Sequence, residues 1–247
     1  MQRFAPIFLA LLFPVLCPAF EITESTTQVL VGIAPNWDSS QVKLTLYERG
    51  KFLGKANWKP VGSSWGGRLG YNGLVWGYGV HQRPTDVRTK KEGDGRSPAG
   101  VFEFGKAWGY KASEKTPRAQ QYNQITTRDL WFEDVNSPLY NQHDRLPHEP
   151  QTAAEKKAQM KQNDYAHSLK LFIRHNAEKG SIVPGAGSSI FFHIWRRDGA
   201  AATAGCTTMT ESKLRDLISK IDPAKNPVYV LLPKSEYDRF KTEWKLP

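Results

Sequence analysis

Glycine and proline interrupt this chain too often for long helices: 20 Gly and 16 Pro are spread through 247 residues. An interior glycine costs a helix about 1 kcal/mol and a proline about 3. A helical bundle is therefore disfavoured, and many short strands joined by turns are expected. The apolar segments between the breakers have strand length. Gln28-Val-Leu-Val-Gly-Ile33 and Val42-Lys-Leu-Thr-Leu-Tyr47 read as strands, the second in strict alternation. Glu48-Arg-Gly50 reads as a turn from which Lys51 to Trp58 returns as a hairpin. Later strands are expected at Val101-Phe-Glu-Phe104, with Glu103 facing away from both Phe, and at 168–174, 189–195 and 227–232. Helix formers dominate Thr152 to Asn163. A capping box at Thr208-Met-Thr-Glu211 predicts a helix over 212–220, and Ser235 is expected to cap a last helix through Trp244. No linker divides the chain, so 20–247 reads as one mainly-β domain with a few peripheral helices.

Residues 59 to 110 set aromatics beside glycines, as in Trp76-Gly-Tyr-Gly79 and Trp108-Gly-Tyr110. Core rings packed over turns are the expected reading, with sugar stacking the alternative. Residues 113–165 are polar and proline-punctuated, long enough to form a lid or insert rather than a plain connection.

The first nineteen residues have the layout of a secretory leader: Arg3, an apolar run from Phe4 to Leu16, and small residues at Pro18-Ala19 before a polar segment. The run is too short to span a bilayer, and no other stretch is suited to crossing a membrane. Export to the periplasm or the cell wall is expected, without stable membrane insertion. With 34 Lys and Arg against 24 Asp and Glu the chain carries +10, which favours an anionic partner. Nucleic acid is not expected, because no recognition signature accompanies the charge.

Of the 2 cysteines, Cys17 departs with the leader. Cys206 then stands alone. Its residue type leaves three roles open: pairing with another chain, an inert core thiol, or a reactive group. Its setting favours the last. His193 ends a strand, and Thr203-Ala-Gly-Cys206 leads into the expected helix, whose dipole would lower the thiol pKa. Gly205 permits a close turn whose N–H groups can face an oxyanion.

Phe191-Phe-His193 followed by Thr203-Ala-Gly-Cys206 resembles the YkuD-like L,D-transpeptidases. Lys91-Glu-Gly-Asp-Gly-Arg-Ser-Pro-Ala-Gly-Val-Phe102, Pro184-Gly-Ala-Gly-Ser-Ser-Ile190 and Asn226-Pro-Val-Tyr-Val230 extend the likeness over roughly residues 60 to 247. The resemblance implies a β-sandwich or barrel domain that acts on peptidoglycan stem peptides without metal or organic cofactor. By it, Cys206 attacks the L-centre carbonyl of the third stem residue and expels the terminal D-amino acid. His193 is the base, Gly205 and Thr203 support the turn and the oxyanion, and an amine resolves the thioester. Two positions depart from the family pattern: Thr208 replaces an arginine, and Ala204 a histidine. Arg196 or Arg197 is the expected carboxylate fork, and His167 is expected to line the cleft. An L,D-carboxypeptidase using water, or a non-catalytic wall-binding module, would fit the same residues. A metal hydrolase built on His143, Asp144, His148 and Glu149 is disfavoured, because no strong ligand spacing occurs.

Overall fold

The computed structural model describes residues 20–50, 57–117, 122–178 and 181–247. The expected leader, 1–19, and most of the expected return limb, 51–56, lie outside the described residues. Among the described residues no helix is long and apolar enough to cross a membrane.

Among the described residues, thirteen strands and three α-helices follow in chain order. They are β1 (Gln28–Ala34), β2 (Gln41–Glu48), β3 (Lys59–Pro60), β4 (Trp65–Arg68), β5 (Leu74–Trp76) and β6 (Ser97–Gly109). Next come β7 (Tyr122–Gln124), β8 (Asp129–Trp131), β9 (His143–Arg145), α1 (Ala153–Ala158), β10 (Leu169–Ile173) and β11 (Phe191–Ile194). The chain closes with β12 (Thr207–Met209), α2 (Glu211–Lys220), β13 (Val228–Pro233) and α3 (Lys234–Phe240).

Hydrogen bonding runs β1-β13-β6-β10-β11-β12-β4-β2, and β2 pairs back onto β1. The main sheet is thus a closed barrel, not a sandwich, and closure leaves these strands without a free edge. β1 and β13 run parallel, with Val29 opposite Val228, and are buried almost throughout. β2 keeps the alternation of its sequence, burying Val42, Leu44 and Leu46 while Gln41 and Lys43 stay exposed. Among the described residues β2 pairs on this side with Lys59–Pro60, just past the expected return limb. Pro60 has no N–H to donate and fits the outer edge it occupies.

Three helix boundaries differ from expectation. α1 stops at Ala158, because Gln159 bridges to Leu130 and the Met160 N–H donates to the Asp129 carbonyl at 2.8 Å. The chain is drawn onto β8 before a third turn can form. α2 is capped by Thr210, whose hydroxyl accepts from the Lys213 N–H, not by Thr208, which belongs to β12. α3 starts at Lys234 behind Pro233, so Ser235 is not its cap.

Period two on the strands separates two cores. Leu169, Leu171 and Ile173 of β10, Phe192 and Ile194 of β11, and Met209 of β12 point into the barrel. They pack there with Leu214, Leu217 and Ile218 of α2. The alternate residues Phe172 and Phe191 face outward and join Trp108, Ile125, Trp131 and Met160 in a second cluster. The 113–165 excursion supplies Ile125, Trp131 and Met160, so its described part is packed down on the barrel wall. Trp76 and Trp108 are core rings, whereas Tyr71 is exposed.

Candidate active site

The outer face of β10, β11 and β12 carries a polar row in this otherwise apolar wall. Lys170 stands opposite His193 in the antiparallel β10–β11 register, and His193 stands beside Thr208 in the parallel β11–β12 register. Cys206 precedes β12 and packs against the second apolar cluster. Lys170, His193, Cys206 and Thr208 all line one cavity of about 450 Å³, to whose lining the excursion adds Trp131, Glu133 and Met160.

The Cys206 thiol is unpaired and half-buried. The Phe191 N–H donates to its Sγ at 3.4 Å, and the thiol donates to the Ser189 carbonyl at 3.4 Å. Burial pushes the thiol pKa up, and the Phe191 amide and the Lys170 charge offset this only in part. The expected depression by a helix dipole fails. A three-residue strand separates Cys206 from the Thr210 cap, beyond the reach of the first helical turn.

His193 is buried, and its Nδ1 lies 2.8 Å from the Ile194 carbonyl. A carbonyl only accepts, so Nδ1 carries the proton and Nε2 keeps its lone pair. Burial holds the imidazole pKa down at about 3, and the neighbouring His167 adds to this. At neutral pH the site therefore holds a thiol and a neutral imidazole rather than an ion pair.

The turn before the thiol is tied down by its own hydroxyls. Thr203 Oγ1 donates to the Cys206 carbonyl at 2.7 Å and accepts from the Gly205 N–H at 3.0 Å. Ser97 Oγ, buried at the start of β6, donates to the Gly205 carbonyl at 2.8 Å. Gly205 has φ +155°, and a Cβ there would lie 3.0 Å from the Arg96 carbonyl oxygen. Thr203 thus bonds to the turn at both Gly205 and Cys206. The Gly205 N–H is committed to Thr203, and an oxyanion role for it requires that bond to open.

His167 reaches the site, its ring stacked on His193 at 4.5 Å. Its Nδ1 pairs with Asp164 Oδ1 at 2.8 Å, and burial lowers its pKa to about 4. Arg196 also lines the cavity, but its guanidinium is bonded to Asp164. Burial alone would raise the Asp164 pKa; the bonds from Arg196 and His167 outweigh it and hold the carboxyl at about 2. Arg197 is not brought in. It has a left-handed φ of 49° in an exposed turn and lines a neighbouring depression.

Sequence reasoning overlooked two groups. Lys170 interrupts an apolar strand, Leu-Lys-Leu-Phe-Ile, and that interruption was the available signal. Asn141 is buried at a left-handed φ of 55°. Its Oδ1 accepts from the Trp131 indole and the Ser189 N–H, and its Nδ2 donates to the His175 and Asn176 carbonyls. One amide thereby ties the excursion to the backbone that holds the thiol. No local pattern marks it.

Elsewhere, His143 bonds Asp129 at 3.0 Å and packs at a tilt against Trp108, and His148 bonds the Glu149 carbonyl. Among the described residues no three of His, Cys, Asp and Glu gather as a metal site. Compared with known proteins, the chain matches the family model for the L,D-transpeptidase catalytic domain, YkuD, over residues 37–230. No curated protein and no solved structure matches it.

Proposed function

The chain belongs to the YkuD family of L,D-transpeptidase catalytic domains, and from that premise we propose that it is an exported L,D-transpeptidase with Cys206 as nucleophile. The observation that carries this reading is the shared cavity, which is lined both by a backbone-held thiol and by an imidazole with Nδ1 committed to a carbonyl. Export to the periplasm or wall is supported by the leader pattern and the basic charge.

In the first step Cys206 Sγ attacks the L-centre carbonyl of the third stem residue, and His193 Nε2 takes the thiol proton. Starting from a neutral pair, proton transfer accompanies attack, so no buried thiolate need exist beforehand. The oxyanion is met by backbone amides of the turn, the Cys206 N–H being the one that Thr203 does not occupy. Collapse breaks the peptide bond, and the imidazolium returns its proton to the departing D-amino acid amine. An amine from a second stem then attacks the thioester, gives its proton to His193, and expels the thiol. The packed excursion supplies the wall that limits competing water.

The test is intact-mass analysis of protein incubated with a tetrapeptide donor, with Cys206→Ala alongside. An adduct lacking the terminal D-amino acid on the unaltered protein alone, followed by cross-linked dimers, is the expected result. Tripeptide monomers in place of dimers would mean that water is the acceptor. No adduct and no product would overturn the enzyme reading.

A further inference from the structure

Two polar groups in the row across β10, β11 and β12 take no part in the acyl transfer above. Lys170 is 4 % exposed, and its Nζ donates to one protein group, the Met160 carbonyl at 3.1 Å. An ammonium has three donors. Among the described residues no carboxylate lies within ion-pair distance of it; Asp164 and Glu133 act on it only from farther away, and Asp164 is occupied by Arg196 and His167. At the other end of the row Thr208 Oγ1 is buried with no hydrogen-bond partner. The row thus has unused hydrogen-bonding capacity at both ends, two donors of the Lys170 ammonium and the Thr208 hydroxyl, on the face that opens into the cavity.

A buried cation without a counter-ion is costly, and proteins retain one where an anion arrives from outside. Burial lowers the Lys170 pKa to about 8, which still leaves it mainly charged at neutral pH. A stem peptide is rich in carboxylates. Two lie close to the bond to be cut, at the terminus of the leaving D-amino acid and at the D-centre of the diamino acid. Arg196, the cation expected for this duty from sequence, is half-exposed and already paired.

We propose that Lys170 is the seat for a carboxylate of the donor stem, and that it sets the preference for donors in which that carboxylate is free. The proposal rests on the acyl-transfer reading for the identity of the ligand. Lys170 is here a specificity-determining residue, apart from the proton transfers of Cys206 and His193.

Binding, not turnover, separates the two claims. The Cys206→Ala protein would be titrated by calorimetry with a free tetrapeptide and with its two monoamides, one blocked at the terminus and one at the diamino acid. One monoamide is expected to bind roughly tenfold or more weaker than the free peptide, the scale of a charge-assisted hydrogen bond. The monoamide that suffers identifies the carboxylate. Adding Lys170→Met should weaken the free peptide to the level of that amide and leave the amide unchanged, while Lys170→Arg retains the discrimination. Equal weakening of all three peptides by Lys170→Met, no discrimination on the unaltered Lys170, or no binding of the free peptide would overturn the seat. If Lys170→Met fails to fold, the monoamides and Lys170→Arg still decide. Discrimination without turnover by the Cys206-containing protein would sink the acyl-transfer reading and leave the seat standing. Turnover without discrimination would do the reverse.

Discussion

His175 and His193 are both enclosed, and burial drives the pKa of each down to about 3, yet their surroundings suit them to opposite tasks. His175 sits among turns, where its Nδ1 accepts from the Tyr78 N–H at 3.1 Å and its Nε2 donates to the Ala186 carbonyl at 2.9 Å. Both ring nitrogens are spent on backbone. His193 spends only Nδ1, and its ring faces a cavity that also holds a thiol. A depressed pKa therefore does not mark a base. An unused nitrogen facing a ligand space does.

The largest effect should come from exchanging the two rings for glutamine. His193→Gln is expected to slow acyl-enzyme formation about 10³-fold or more, the general-base contribution with loss of a partner for the nucleophile. His175→Gln should leave that rate within a few-fold and lower the urea midpoint, because the loss falls on backbone partners. Rapid-quench mass analysis and urea unfolding of both variants check this. Equal rate losses would erase the distinction.

Asn141 bridges the two regions, since it bonds the His175 carbonyl on one side and the Ser189 amide beside the thiol on the other. Asn141→Leu would leave several buried backbone groups unpaired and is expected to cost about 2–4 kcal/mol by urea unfolding. It should also raise the iodoacetamide reactivity of Cys206 as the Ser189 contact loosens. A stable variant with unchanged thiol reactivity would show that the excursion and the thiol are independent.

Acid sharpens the comparison from the folding side. Both histidines stay neutral when folded and take up protons near 6.5 when unfolded. Below that value the unfolded state binds more protons, so stability should fall as pH drops from about 6.5 toward 3, by about 1.4 kcal/mol per pH unit for each such histidine. His175→Gln should remove one proton's worth of that slope. An unchanged slope would mean that His175 titrates alike in both states.

The smallest effect concerns the thiol itself. Because burial raises its pKa, alkylation of Cys206 by iodoacetamide should keep rising with pH through 9.0. A plateau below pH 8 would reveal a resting ion pair and overturn the neutral start.

What was legible in the sequence was local. The alternation of Val42, Leu44 and Leu46 became the buried face of β2, and the breaker density became short strands. His193, Cys206 and Thr203 stood out because a strand end and a tight turn are written in a few adjacent residues. The Thr208–Glu211 pattern misled because a capping box is equally local, and a pairing of Thr208 with His193 claimed that residue first. α1 was cut short in the same way by contacts to β8.

Alternation, turn chemistry and the nature of the reactive side chains are properties of neighbours in the chain, so the sequence by itself determined them. The closed barrel, the outward face that bears the thiol, the four bonds of Asn141 and the isolation of Lys170 join residues that are distant in sequence. Such contacts depend on strand register, and register is decided by burying all the apolar faces at once. Burial of that kind also settled the protonation states, keeping Cys206 a thiol and His193 neutral, because desolvation acts only once the chain has closed around them.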